Sequence, residues 1–330
     1  MTEIERIKFE RLREIFRRNF RVTRLYSSYL EECPTAITKD MIDTLTAGGE
    51  ISPEVAISAL LSEIFGLNFD NSDDRRIIMD YITPSIRLMS PEKYINDPYY
   101  KNISLDNISD GNWEIKWDEY KPYQAVICHD MMINDDFSEI PPLGFFTDSF
   151  RFPAILEGGN EWMTLTPVDL DTCEEAIDAA HGRVVTFGLG LGYYAYMASE
   201  KSEVESVTVV ELSEDVIRLF KTHILPKMPN GHKINIVNCD AFDYAEKIMP
   251  GEKFDLAFVD TWRDAGDGAP MYKRMKSLEH LSPDTSFMYW VEGFLRSRLR
   301  AERICDIIEM NDAGKLSMSY DEIIDEIARI

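Results

Sequence analysis

The stretch VVTFGLGLGYYAY, residues 184–196, sets three glycines at alternate positions between an apolar run and a tyrosine-rich one. Residues 183–187 read as a buried strand and 193–200 as a helix, so Gly188, Gly190 and Gly192 fall on the turn between them. Glycine there permits a tight bend and lets backbone N–H groups approach a ligand that a Cβ would hold off. In a doubly wound sheet, ligands bind beyond the carboxyl ends of the strands where strand order reverses, and the first strand-to-helix turn lies at that point. The same three glycines would also suit a tight turn that only packs helix on sheet.

Outward from this turn the pattern is regular. Beyond Thr166-Pro167 the sequence predicts helix 168–180, strand 183–187, helix 193–200, strand 206–211 and helix 214–223. Strand 233–237, helix 242–249, strand 254–260 and strand 286–291 follow, with helices over 294–310 and 320–330. Short β-branched runs alternating with helices imply an α/β fold, a Rossmann-like doubly wound and mostly parallel sheet covered on both faces. This domain is expected over 167–330. A small antiparallel β region is expected over 111–166: Trp113, Ile115 and Trp117 alternate with Glu114, Lys116 and Asp118, residues 123–128 form a strand, and Gly158-Gly159-Asn160 marks a hairpin.

Residues 1–110 read as helical. Ile4, Ile7, Leu12, Ile15, Phe16 and Phe20 recur at helical spacing, with Arg6, Arg11, Arg13, Arg17, Arg18, Arg21 and Arg24 on the other faces. Those arginines read as a solvated face or one paired with an acidic body, with RNA contact the less favoured alternative, and these helices offer a surface for a homodimer. A helix after Thr38 stops at Gly48-Gly49, another starts at Ser52-Pro53, and more helix is expected over 72–89.

The net charge of −24 over 330 residues disfavours non-specific binding to nucleic acid or anionic membrane. No apolar run reaches the length of about 18 residues needed to span a bilayer, and no leader is visible, so the chain reads as a cytoplasmic protein without a membrane partner. The five cysteines are scattered without CxxC spacing, as are the histidines, and no metal site is expected from them.

The dinucleotide fingerprint G-x-G-x-x-G, begun at Gly188, would put its third glycine at Tyr193, which disfavours nicotinamide cofactors. The G-x-G-x-G turn resembles motif I of class I S-adenosylmethionine-dependent methyltransferases. Glu211 then ends the second strand roughly 20 residues on, where an acid would accept from ribose hydroxyls. In NCDAF (238–242), Asp240 would accept from the adenine amino group and the Ala241 N–H would meet the ring, although aspartate also caps helices well. The resemblance makes Gly188, Leu189, Gly190, Gly192, Tyr193, Glu211, Leu212, Asp240, Ala241 and Asp260 the residues that would hold S-adenosyl-L-methionine.

SVTVVELSEDVIRLFKTHILP (206–226), NCDAF and the acidic FDLAFVDTWRDAGDGAP (254–270) are similar to the spermidine synthase group. Asp260 matches the first position of that group's D-S-S-D-P type loop, whose aspartate deprotonates an attacking amine. Trp262-Arg263 takes the place of the loop's next residues, and the turn lacks the GGGDGG form. Methyl transfer is therefore preferred to polyamine synthesis. Asp260 would orient or deprotonate the acceptor and Trp262 would wall the pocket; at its ordinary pKa an aspartate is a weak base, which favours orientation.

Asp260, Asp264 and Asp267 could offer oxygens to Mg²⁺, but an acidic surface loop explains them as well. Trp162 and Met163 are either edges of the cofactor site or core. The acceptor would be a small molecule or an unidentified macromolecule. Rival functions are aminopropyl transfer from decarboxylated S-adenosylmethionine and a non-catalytic module binding a nucleoside or a partner protein. Every ligand-binding version requires an adenosyl-sized crevice over the glycine bend.

Overall fold

The structure is a computed structural model that describes residues 2–106 and 108–330. Contacts divide the chain into two compact units, one of residues 1–89, 121–149 and 293–330, the other of 90–120 and 150–292. This grouping cuts across the successive segments 1–110, 111–166 and 167–330 expected from the sequence. The chain enters and leaves each unit more than once, which a linear change of pattern does not display.

The second unit holds the parallel sheet. Its strands are β1 (Gly182–Phe187), β2 (Val204–Glu211), β3 (Ile234–Asn238), β4 (Leu256–Val259) and β5 (Ser286–Tyr289). They lie in the order β3-β2-β1-β4-β5, every pair parallel. That is the doubly wound order, with its reversal point between β1 and β4. Val184, Val185, Phe187, Val207, Val209, Leu256 and Phe258 are all buried, as strands covered on both faces require.

Helix Pro167–Ala179 opens with a Thr166/Asp169 capping box, and helix Tyr193–Glu200 follows the glycine bend. Helix Glu214–Leu219 runs into a π-helical segment, Phe220–Ile224. Helix Ala265–Leu278, between β4 and β5, escapes the sequence reading because two glycines and Pro270 dilute its pattern.

This unit also contains an antiparallel sheet in the order Ser109–Asp110, Trp113–Tyr120, Phe150–Glu157, Asn160–Thr164. Its hairpin turns on Gly158 and Gly159, both at positive φ (57° and 83°). The strand expected over 123–128 belongs elsewhere: Ala125–Ile127 joins Leu143–Phe146 and Ile86–Met89 in a three-stranded sheet of the first unit. Ile86–Met89 is itself a correction, since the helix expected over 72–89 ends at Ser85.

In the first unit, helix Glu3–Glu32 starts at a Thr2/Glu5 capping box. Its Phe9, Leu12 and Phe16 pack with Ile304 and Ile307 of helix Glu292–Asp312 and with Ile323 and Ile327 of helix Tyr320–Arg329. Ile4, Ile7 and Phe20, counted as apolar face from spacing, are exposed. Three of the arginines are paired: Arg13 with Asp312 (2.9 Å), Arg18 with Asp73 (2.8 Å) and Arg21 with Asp74 (2.7 Å). Among the described residues no helix is long and apolar enough to cross a membrane.

Candidate functional site

The glycine bend sits at the carboxyl end of β1, held from both sides. Gly188 N–H donates to Val210 O (2.9 Å) and Asp260 N–H to Phe187 O (2.9 Å), so backbone from β2 and from the residue after β4 closes on it. All three glycines have positive φ: 98°, 52° and 78° for Gly188, Gly190 and Gly192. Their reasons differ. A Cβ on Gly188 would lie 1.9 Å from the Asp260 carbonyl oxygen, and one on Gly192 would lie 2.2 Å from the Phe220 ring. Packing within the chain therefore accounts for those two. At Gly190 the space is taken by the end of Met163, whose Sδ would stand 2.6 Å from a Cβ. A thioether tip on three rotatable bonds is a wall that can move.

Glu211, buried at the end of β2, divides its carboxylate between two backbone donors, Leu189 N–H on Oε2 (3.0 Å) and Ser213 N–H on Oε1 (2.7 Å). It thus ties the bend to the strand end, and a ribose would have to use lone pairs that these bonds leave over. Pairing of Glu211 with Asn238 brings Leu212 and the Asp240-Ala241 pair to the same end of the sheet. Leu212 is 67% exposed, an apolar side chain with no cover. Asp240 Oδ1 accepts from Phe242 N–H (2.9 Å) and Asp243 N–H (3.0 Å) and so caps helix Ala241–Lys247. The capping role open from sequence is thus occupied, through one oxygen only.

Asp260 differs from these. No described residue donates a hydrogen bond to its carboxyl, and it lines a cavity of about 30 Å³ together with Met163, Asp169, Gly188, Leu189 and Tyr193. Burial, with the negative charges of Asp169 and Glu211 adding to it, pushes its pKa up to about 8. The expectation of a weak base at its ordinary pKa is therefore corrected. Asp260 is protonated at neutral pH, and once ionised it is a far stronger base than a solvated carboxylate.

Asp169 stands in the same cavity and is not singled out by the sequence; in the structure it completes the capping box of its helix. Its Oδ2 accepts from Thr166 N–H (2.7 Å) and Thr166 Oγ1–H (2.8 Å), and burial still lifts it to about 6. Cys173, also on the cavity wall, is kept as a thiol by burial and by the charges of Asp260 and Asp169.

Tyr193 has its hydroxyl committed, donating to Asp97 Oδ2 (3.1 Å). Asp97 is itself raised, chiefly by burial. Tyr99 donates to Leu191 O (2.6 Å), so the segment with short helices Pro91–Ile95 and Pro98–Asn102 braces the bend. Nothing in its sequence signals that role. Trp162 packs edge-on against Trp113 (5.3 Å between centroids), whereas Met163 edges the bend.

Trp262 does not line the cavity around Asp260. It lies nearly parallel to Tyr289 (6.4 Å, 13°), buried, with no partner for its Nε1–H; the Oγ1 of Thr261 is likewise buried without a partner. Asp264 and Asp267 form the capping box of helix Ala265–Leu278, which engages Asp264 Oδ1 and both oxygens of Asp267. Among the described residues no group of three His, Cys, Asp or Glu could hold a metal ion.

The crevice required over the bend is not open. A cavity of about 30 Å³ has room for about one water, against roughly 300–1,000 Å³ for small-molecule sites.

No family model matches this chain, and no curated protein matches it in sequence. Solved structures similar to parts of it include spermidine synthase from Thermotoga maritima, at 16% identity and TM-score 0.32, covering 46% of this chain and 59% of that one. An O-methyltransferase from Bacillus cereus, in complex with SAH, is similar at 15% identity and TM-score 0.26, over 32% of this chain and 49% of that one. The chain thus spans about half to three fifths of the length of these structures. The sheet's own strand order defines the fold.

Proposed function

We propose that this chain is an S-adenosylmethionine-dependent transferase of the class I methyltransferase type, acting on a nitrogen or oxygen acceptor. The observation that carries the reading is Asp260: a carboxyl without a hydrogen-bond donor, at the carboxyl end of the strand beside the reversal point of a β3-β2-β1-β4-β5 sheet. A strongly perturbed acid in such a position marks a functional site better than a structural one.

Bound S-adenosylmethionine would supply an activated methyl carbon. Glu211 would take the ribose hydroxyls, Leu212 and the free oxygen of Asp240 would border the base with the Ala241 N–H, and the bend from Gly188 to Gly192 would face the methionine portion. Met163 would swing off Gly190 to admit it. Asp260 would accept a proton from the acceptor or hold it in line, in surroundings that exclude water. Trp262 would shape the acceptor side from behind Tyr289.

Aminopropyl transfer is the second reading, favoured by the two acids Asp169 and Asp260 in one cavity, which suit an amine acceptor. Calorimetric titration with S-adenosylmethionine, its decarboxylated form and NADH separates the readings. Preferential binding of S-adenosylmethionine is the expected result. Binding of the decarboxylated form alone would move the assignment to aminopropyl transfer, and binding of NADH alone would overturn both. Binding without turnover against a broad acceptor panel would leave a nucleoside-binding module.

A further inference from the structure

Two carboxyls walling one cavity is an arrangement with a consequence for binding. Asp169 comes from helix Pro167–Ala179 and Asp260 from the end of β4, and among the described residues no Lys, Arg or His lines the cavity they share. The titratable groups facing Asp260 are Asp169 and Cys173 from that helix, Glu211 from the end of β2, and Tyr193 and Tyr194 from helix Tyr193–Glu200. Asp97 approaches through the Tyr193 hydroxyl. None of these brings a positive charge. The remaining walls, such as Leu165, Leu191, Phe258 and Trp290, are apolar.

Two ionised carboxylates cannot share so small a space at little cost, so the pair keeps one proton. The asymmetry of their partners places it: Asp169 is stabilised as an anion by both Thr166 donors, and Asp260 has none. A cation arriving there would do what the proton does.

We infer that Asp169 and Asp260 form a proton-exchange pair, in which the cationic centre of the ligand displaces one proton to solvent and charged donors are thereby selected over their neutral products. This rests on the proposed S-adenosylmethionine reading of the same site. The balance is simple: one positive charge enters as sulfonium, one leaves as H⁺ to buffer, and no covalent bond other than the Asp260 O–H breaks. Once transfer has turned the sulfonium into a neutral thioether, the pair takes the proton back and weakens the hold on the product.

The test is calorimetry of S-adenosylmethionine and of S-adenosylhomocysteine binding at pH 7 in buffers of differing ionisation enthalpy, which counts protons exchanged. Close to one proton should be released per S-adenosylmethionine and close to none per S-adenosylhomocysteine. Affinity for S-adenosylmethionine should rise about tenfold per pH unit up to pH 8 and level off above, while that for S-adenosylhomocysteine should not rise. Asp260→Asn should abolish the release while still binding. Asp169→Asn, which keeps an acceptor for Thr166, should move the levelling-off to lower pH. Binding of S-adenosylmethionine without proton release, or equal release with both ligands, would overturn the exchange pair and leave the transferase reading standing. Failure of both ligands to bind a folded protein would overturn that reading and the pair with it.

Discussion

The two units carry concavities of opposite character. The first unit has an open groove of about 960 Å³ along helix Glu3–Glu32, walled by Arg11, Glu14, Arg18, Arg76, Asp80 and Asp136 among others. The second has the cavity of about 30 Å³ beside Asp260. In the groove most of the polar chemistry is already spent. Arg18 donates to Asp73 and Glu14, Tyr81 to Asn19, Asn134 to Ser138, and Ser138 to Asp136. In the cavity a half-buried carboxyl with no donor among the described residues shares the space with a second one. Room walled largely by groups that already pair with one another suits solvent; unspent chemistry without room is costly to keep folded and fits a site that opens to its ligand.

The sharpest way to break this contrast is Gly188→Ala. The new Cβ would meet the Asp260 carbonyl at 1.9 Å, and φ is 98°, so both the contact and the backbone conformation resist it. A loss of more than roughly 4 kcal/mol in urea unfolding is expected; a loss under about 1 kcal/mol would mean the bend is not clamped.

Asp260→Asn comes next and should act in the opposite direction. The folded pKa of Asp260, about 8, lies above the ordinary value of 3.8, so folding favours the protonated form. That contribution is fully present below about pH 4 and is lost as pH rises to about 8. The Asn variant, neutral throughout, should match the native protein near pH 4 and exceed it by about 3 kcal/mol at pH 8, after discount for partial exposure. An offset independent of pH would contradict a titrating Asp260 whose pKa folding raises.

Glu211→Ala leaves the Leu189 and Ser213 N–H groups without an acceptor and removes the ribose carboxylate. It should weaken S-adenosylmethionine binding by about 2 kcal/mol, read by calorimetry on folded protein. The smallest effect belongs to the groove. Arg11→Ala combined with Arg76→Ala should change stability and nucleoside binding by less than about 0.5 kcal/mol, and a larger drop in binding would reverse the ranking of the two concavities.

The parallel sheet is legible in the sequence because its signal is local. Val184 to Phe187 and Val207 to Val210 are continuous β-branched or aromatic runs, and Gly188 punctuates the first where the chain must turn. Glu211 and Asp260 stand out by their place at strand ends. Asp169 does not, because its one local signature, the bond to Thr166, is that of an ordinary helix cap. The bracing of the bend by Tyr99 and Asp97 is invisible for a related reason: it depends on contacts across more than ninety residues of sequence, as in the Tyr99 to Leu191 bond (92 apart). Strand Ile86–Met89 is lost inside an apolar run that fits either period, and only its parallel partner Leu143–Phe146 decides it.

The closed cavity makes one measurement decisive: a crystal structure of the protein grown with millimolar S-adenosylhomocysteine. The expected density is an adenosyl group over the bend, its ribose hydroxyls on Glu211 and its base beside Leu212, with the Met163 side chain turned away from Gly190. Crystals in which Met163 still fills the space above Gly190 and the ligand is absent or bound elsewhere would contradict the account.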